Sequence, residues 1–358
     1  MPTRPAVLPL ALAGGIGTLP YLSLGMVTAY LRVHRGGLLA RDFDIWRILP
    51  GGMPEFPMQA VYTAVAGAEA PICLLSSYVW NHALNLEAAA EIKRLKPDAT
   101  VVIGGPEVPK YAGETEAFLR DHPCIDVAVL GEGEVACAEI LAAVGGSEPA
   151  GLSAVAGIAW RDGATITRSG ERSRIRDINE LPSPYLSGEF EPWFGDFSST
   201  NLETNRGCPY GCTYCDWGSA TLQQVTRVDP ARVTAEIDYL ADKRSQAVFI
   251  ADANFGMLEQ DIAIAEALVA ARARTGYPRR LYTNFAKNGG RRLMAVIKIL
   301  HEGGLLPTGI IALQTTDPTV LKAIKRDNIR TSAYQKMMRY FNDEGIPMAS
   351  DLMIGLPG

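Results

Sequence analysis

Six cysteines occur in the chain, and three of them share one short run, Arg206-Gly207-Cys208-Pro209-Tyr210-Gly211-Cys212-Thr213-Tyr214-Cys215. Thiolates bind soft metals, and four of them close a structural zinc site or an iron–sulfur cluster. Cys208, Cys212 and Cys215 are one ligand short. Three thiolates on one tight loop can hold three irons of a [4Fe-4S] cluster and leave the fourth iron open. Gly207 and Gly211 suit a loop that wraps a cube, where unusual φ/ψ and close backbone approach are needed. Pro209 stiffens it. A zinc site would take Asp216 as its nearest fourth ligand, whereas structural zinc prefers Cys or His. No His lies between His122 and His301. A disulfide fails on parity. Cys73 and Cys124 sit in apolar runs and read as buried free thiols, with Cys137 also outside the motif. That usage fits a reducing, cytoplasmic setting.

The C-x-x-x-C-x-x-C spacing resembles the cluster motif of the radical S-adenosylmethionine (SAM) enzymes. The resemblance implies that SAM chelates the open iron through its amino and carboxylate groups. An electron from a reductant such as flavodoxin or ferredoxin then breaks the S–C5′ bond and leaves a 5′-deoxyadenosyl radical. It also implies roles for several residues. Tyr214 matches an aromatic position that packs on adenine. The usual G-G-E is replaced by Asp252-Ala253-Asn254-Phe255, in which Asp252 or Asn254 can accept from the SAM ammonium. Asn284 and Gln314 are placed for the carboxylate and ribose. Gly355 and Leu356 are placed for backbone bonds and apolar contact with adenine. Asp317, Lys322, Lys325 and Arg326 read equally well as a solvated helix face.

The elements that must position these residues are legible as an α/β alternation. Strands are expected at 201–204, 247–251, 280–284, 308–314 and 348–354, with helices at 230–242, 259–274, 291–302 and 331–344. This is a partial (β/α)6 barrel over 201–358, whose site lies at the C-terminal ends of its strands. The resembling cores usually have six strands. The sequence stops at Gly358, just past the fifth, so a sixth strand and any C-terminal domain are expected to be missing and the chain to be a fragment.

Residues 1–148 alternate in the same way. Strands are expected at 7–12, 43–49, 71–76, 100–103 and 125–130, with helices at 21–33, 58–66, 84–95, 113–120 and 135–144. Continuous apolar strands argue a Rossmann-like parallel sheet covered on both faces. The N-terminal run resembles a weak signal peptide, but the alternation that follows favours a first strand. Ligands of such sheets bind at the strand ends. Those ends carry Gly14 and Gly15; Ser76, Ser77 and Tyr78; Gly104, Gly105 and Pro106; and Gly131, Glu132, Gly133 and Glu134. The first turn lacks the G-x-G-x-x-G of a dinucleotide site. Instead Ser-Ser-Tyr-Val-Trp-Asn (76–81), Ile-Gly-Gly-Pro-Glu-Val (103–108) and Gly-Glu-Gly-Glu (131–134) resemble the cobalamin-binding domain of one branch of the radical SAM enzymes. The cobalt-ligating D-x-H-x-x-G is absent, and 32–37 reads as a helix C-terminus with Gly36 as cap. The resemblance therefore implies cobalamin with no histidine on cobalt, with Trp80 or His82 near its lower face. Trp80 can exclude water but not ligate, since an indole N–H only donates. Residues 149–200 join the two halves through a hairpin at Asp162-Gly163 and a Pro-rich, extended linker over 181–192.

The 358 residues suffice for two domains. A net charge of −5 implies no general nucleic-acid or anionic-membrane partner. No stretch reaches the roughly 20 apolar residues of a membrane span. Together the motifs imply a cobalamin-dependent radical SAM enzyme that methylates an unactivated carbon of a small-molecule or peptide substrate. Rearrangement or cyclisation without methyl transfer, a non-catalytic cobalamin or cluster sensor, and a first domain that only docks substrate remain open beside it.

Overall fold

Residues Ala6–Leu12 are buried along their whole length and form β1. A strand with apolar residues on both faces belongs inside a sheet covered on both sides. The computed structural model describes residues 4–13, 21–145, 151–191, 194, 199–215, 217, 223–288, 290–305, 309–310 and 312–357. The sequence features at Gly14, Gly15, Asp216 and Thr308 lie outside these residues. The chain divides into two compact units, Met1–Ile175 with Leu181–Pro192, and Arg176–Glu180 with Trp193–Gly358.

In the first unit β1 is followed by α1 (Leu22–Asp42), β2 (Asp44–Ile45), β3 (Leu49–Gly51), α2 (Met58–Gly67), β4 (Ile72–Ser76) and α3 (His82–Leu95). Then come β5 (Thr100–Gly104), α4 (Glu114–Asp121), β6 (Val127–Val129), α5 (Gly133–Gly145), β7 (Ile158–Asp162) and β8 (Thr165–Arg168). β1 pairs in parallel with β2 and β3 on one side and with β4 on the other. β4, β5 and β6 continue in parallel, and β7 and β8 add two antiparallel strands at the edge. The parallel part is thus doubly wound, and its direction of travel reverses between β1 and β4, where ligands of such sheets bind. Leu8, Leu10, Leu12, Leu75, Val101 and Ile103 pack with Ala88 and Ile92 of α3 in one core. Each fully buried side chain of this size contributes about 1.5–3 kcal/mol.

Three local readings change. The strand expected at 43–49 is split into β2 and β3, because Arg32 draws the carbonyls of Ile45 and Trp46 to its guanidinium at 3.0 and 3.2 Å. α1 loses helical geometry at His34–Gly37, at the expected helix end, and then resumes to Asp42. The stretch expected to be extended over 181–192 is instead a series of turns between 184 and 190. Tyr185 and Phe190 are fully buried with ring centroids 5.1 Å apart, and that apolar burial folds the segment onto its own unit.

The second unit contains β9 (Ser199–Leu202), β10 (Asn205–Gly207), β11 (Val225–Arg227), α6 (Pro230–Asp242), β12 (Ala247–Phe255), α7 (Gln260–Thr275) and β13 (Arg280–Phe285). They are followed by α8 (Gly290–Glu302), β14 (Gly309–Ile310), α9 (Pro318–Ala323), α10 (Thr331–Asp343) and β15 (Met348–Ala349). β9, β12 and β13 form a parallel sheet in the order β13-β12-β9. α6 starts at an Asp229 cap with Pro230 in its first turn, a strong start signal. The strands expected at 308–314 and 348–354 pair only over β14 and β15, with an isolated bridge from Gln314 to Leu352. Among the described residues no helix is long and apolar enough to cross a membrane.

Candidate functional site

The cysteine loop leaves β9 through an antiparallel ribbon, β10 with β11, in which Asn205 faces Arg227 and Gly207 faces Val225. Gly207 has φ +119°, and a Cβ there would stand 1.9 Å from the carbonyl oxygen of Gln224. Only glycine fits. The loop is tied further on, where Thr213 N–H donates to the Ile324 carbonyl at 3.0 Å and Cys215 N–H to that of Cys212 at 3.0 Å. Cys208 and Cys212 are buried and Cys215 half-buried, and none of the six cysteines is in a disulfide.

Two side chains from neighbouring strand ends meet the sulfurs. Asn254, near the end of β12, donates from Nδ2 to Cys208 Sγ at 3.3 Å. Lys287, two residues beyond β13, donates from Nζ to Cys212 Sγ at 3.2 Å. Its ammonium also lies 3.9 Å from the centroid of the Tyr210 ring. Among the described residues no three His, Cys, Asp or Glu side chains stand together as a ready metal site. The donor set nonetheless fits an iron–sulfur cluster by its chemistry: three thiols outside any disulfide, on one loop whose ends the ribbon holds together.

Tyr214 is anchored by its hydroxyl, which accepts from Arg326 Nη1 at 2.7 Å. Arg326 also donates to the Ala312 carbonyl and to Asn328 Oδ1, and it is buried. The solvated-face reading therefore holds for exposed Lys322 and Lys325 but is corrected for Arg326. Asp317 caps α9 by accepting from Thr319 and Val320 N–H at 2.7 and 3.1 Å.

Asp252 and Asn254 share the buried face of β12, as their spacing of two requires. Asp252 is fully buried, and its carboxylate accepts from Thr204 N–H at 2.9 Å, Asn205 N–H at 3.2 Å, Asn205 Nδ2 at 2.6 Å and the Thr204 hydroxyl. Burial pushes its carboxyl up to about 7 against the pull of those donors. It thus holds the turn into the ribbon, while Asn254 reaches the cysteines. Asn284 is exposed on β13. Gln314 is held by its backbone, donating to the Asp351 carbonyl and accepting from Met353 N–H, each at 2.8 Å. Gly355 is exposed with a positive φ, and Leu356 is half-buried. Lys287, Tyr210 and Asn328 carry no sequence signature, since a loop beyond a strand brings the first two to their partners and the loop beyond α9 brings the third.

In the first unit the strand ends at the winding reversal are bound to one another. Asn81 Nδ2 donates to the carbonyls of Leu12 and Ser76 at 3.0 Å each, bridging β1 and β4. Ser76 meets Ser23 hydroxyl to hydroxyl at 3.0 Å, and Ser77 Oγ meets His82 Nδ1 at 2.8 Å. Ser77 N–H donates to the Gly104 carbonyl at 2.7 Å. Gly105 has φ +107°, and a Cβ there would stand 2.5 Å from the Ser77 carbonyl oxygen. Tyr78 and Trp80 stack with centroids 4.7 Å apart, and Trp80 remains 45% exposed. Gly133 is half-buried, and Pro106 and Gly131 are exposed. The Glu132 carboxylate is engaged by Ile175 N–H at 2.7 Å and by Arg174 at 3.3 Å. Small residues beside a stacked aromatic pair, Tyr78 half-buried and Trp80 exposed, fit a large flat ligand.

Comparison with known proteins adds to this geometry. Residues 202–358 match the family model of the Radical SAM superfamily. The chain is 36% identical over 352 residues to the 2-(S-pantetheinyl)-carbapenam-3-carboxylate methyltransferase of Streptantibioticus cattleyicolor, covering 96% of this chain and 50% of that protein. It is 35% identical, with the same coverage, to the cobalamin-dependent radical SAM methyltransferase TokK of Streptomyces tokunonensis. The chain thus spans about half the length of the curated relatives it matches. Its fold is similar to that of the methyltransferase TsrM from Kitasatospora setae, solved with cobalamin and a [4Fe-4S] cluster bound. That similarity has a TM-score of 0.73 at 16% identity, covering 99% of this chain and 68% of TsrM.

Proposed function

Because residues 202–358 match the Radical SAM superfamily and 96% of the chain is similar to a cobalamin-dependent radical SAM methyltransferase, we propose that it belongs to the cobalamin-dependent radical SAM enzymes and takes part in methyl transfer to an unactivated carbon of a small-molecule substrate. The observation that carries the proposal is the meeting of Cys208 and Cys212, on one ribbon-held loop, with side chains from the ends of β12 and β13. When bound, a [4Fe-4S] cluster supplies the electron that cleaves SAM, and cobalamin carries the methyl group. Cys208, Cys212 and Cys215 would hold the cluster. Tyr214, fixed by Arg326, offers its ring to adenine. Asn254 and Asn284 offer polar groups to the methionine part of SAM, with Gln314, Gly355 and Leu356 toward ribose and adenine. Asp252 supports the loop from beneath.

In this proposal residues 1–148 bind cobalamin, 149–200 join, and 201–358 form the partial barrel. Ser76, Ser77, Tyr78, Trp80, Gly104, Gly105, Pro106, Gly131, Glu132 and Gly133 border the cobalamin site. The name of the Streptantibioticus cattleyicolor relative makes carbapenam carboxylates the first substrates to test. The protein, reconstituted anaerobically with iron, sulfide, cobalamin, SAM and a low-potential reductant, should form 5′-deoxyadenosine and S-adenosylhomocysteine in equal amounts. Deoxyadenosine alone would point to rearrangement or cyclisation. Neither product, from protein holding both cofactors, would leave a sensor. Replacing Cys208, Cys212 and Cys215 together by Ala should remove the bound iron.

A further inference from the structure

Resting on the cluster reading above, we propose that Lys287 is a positioning residue that sets the reduction potential of the cluster through Cys212. Lysine is rarely buried without a partner. Lys287 is only 8% exposed, and among the described residues no carboxylate pairs with it. Its ammonium instead meets Cys212 Sγ at 3.2 Å and the face of the Tyr210 ring at 3.9 Å. A sulfur and a π face both favour a cation, and sulfur most when it is a thiolate.

The residues on either side of Lys287 are tethered. Ala286 N–H donates to the Phe255 carbonyl at 2.8 Å, and Asn288 Nδ2 donates to the Asp327 carbonyl at 3.1 Å. The lysine is therefore delivered to the loop by anchored neighbours on both sides. Cys208 meets a neutral amide at 3.3 Å where Cys212 meets a full positive charge. One electron added from an external low-potential donor increases the negative charge at the thiolate-bound iron. Hydrogen bonds to sulfur and nearby positive charge favour that reduced state and raise the potential. Lys287 thereby makes the electron easier to deliver, at the expense of its driving force toward SAM.

The test is an EPR-monitored redox titration with iron quantification on the reconstituted protein and its K287M, K287Q and K287R variants. With iron content equal to wild type, K287M poised at the wild-type midpoint should show about a tenfold lower ratio of reduced to oxidised cluster, a shift of about 59 mV for a one-electron couple. K287R, which keeps the charge and the donor, should stay within about twofold. An unchanged ratio in iron-replete K287M would overturn the proposal. If K287M fails to hold iron, K287Q replaces it and should shift in the same direction. Loss of iron from both, with K287R normal, would assign Lys287 to building the site and would also overturn the proposal. Wild-type protein that binds no four-iron cluster would instead defeat the cluster reading itself.

Discussion

Asp261 shows how a single buried acid links this fold to pH. It is fully buried, and one oxygen accepts from Gly256 and Leu258 N–H at 2.8 and 2.9 Å. The other oxygen meets no donor among the described residues. Burial pushes the carboxyl from 3.8 up to about 6. The folded chain thus holds this proton more tightly than the unfolded chain. Its stabilising effect is full below about pH 4 and is lost as the pH rises through 6. Asp261→Asn keeps an accepting oxygen and removes the charge. Between pH 4 and pH 8 the wild type should lose about 1–3 kcal/mol relative to this variant, read by chemical denaturation at both pH values. Parallel curves would show that the second oxygen finds a donor in solution. Arg326→Met should weaken SAM binding about tenfold at unchanged iron content, because Tyr214 loses its 2.7 Å anchor. Calorimetry on the reconstituted protein checks this, and unaltered affinity would remove Tyr214 from the adenine site. The cysteines were legible because their chemistry is in their spacing. The partition of labour between Asp252 and Asn254 was not. Both can accept a hydrogen bond, and only the packing of Thr204 and Asn205 beneath β12 commits one of them to structure.

Among the elements, the β10–β11 ribbon governs the loop. Gly207→Ala places a methyl group 1.9 Å from a backbone oxygen at φ +119°, so the ribbon must part. We expect a loss of about 2–4 kcal/mol and sharply reduced iron binding, checked by thermal unfolding and iron assay. Full iron content in that variant would show that the loop does not depend on the ribbon. The ribbon itself was hidden from the sequence. Asn205–Gly207 and Val225–Arg227 are three residues each, too short for a pattern, and their pairing is carried by backbone groups. The longer elements were legible for the opposite reason. β1, β4 and β5 are continuous apolar runs, α3 and α6 carry their own periodicity, and α6 has an Asp229 cap. The split of β2 from β3 depends on Arg32, more than ten residues upstream in another element, and no local pattern announces it.

Over the whole molecule, the chain has four histidines, and each has a neighbour that occupies it. His34 meets the Tyr30 hydroxyl at 3.3 Å, and His122 packs on Phe118 at 4.9 Å. His301 stands 3.7 Å from Glu344 in the second unit. Only His82 borders the strand ends proposed for cobalamin, and its Nδ1 already meets Ser77. Because the chain lacks the D-x-H-x-x-G of a histidine-ligated cobalamin, bound Co(II) cobalamin should show no nitrogen splitting in its EPR spectrum, and His82→Ala should leave that spectrum unchanged. Splitting that vanishes in the variant would place His82 on cobalt. Both units were legible as α/β alternations because strands and helices differ in period wherever they exceed about five residues. The ribbon that binds 205–207 to 225–227 carries one more implication. Tethering the ends of a segment of that length costs on the order of 2–3 kcal/mol of chain entropy, which is settled when the protein folds. Iron can then leave, as after exposure to oxygen, without the scaffold coming apart. The empty loop remains a refillable socket, and the life of the protein is decoupled from the life of any one cluster within it.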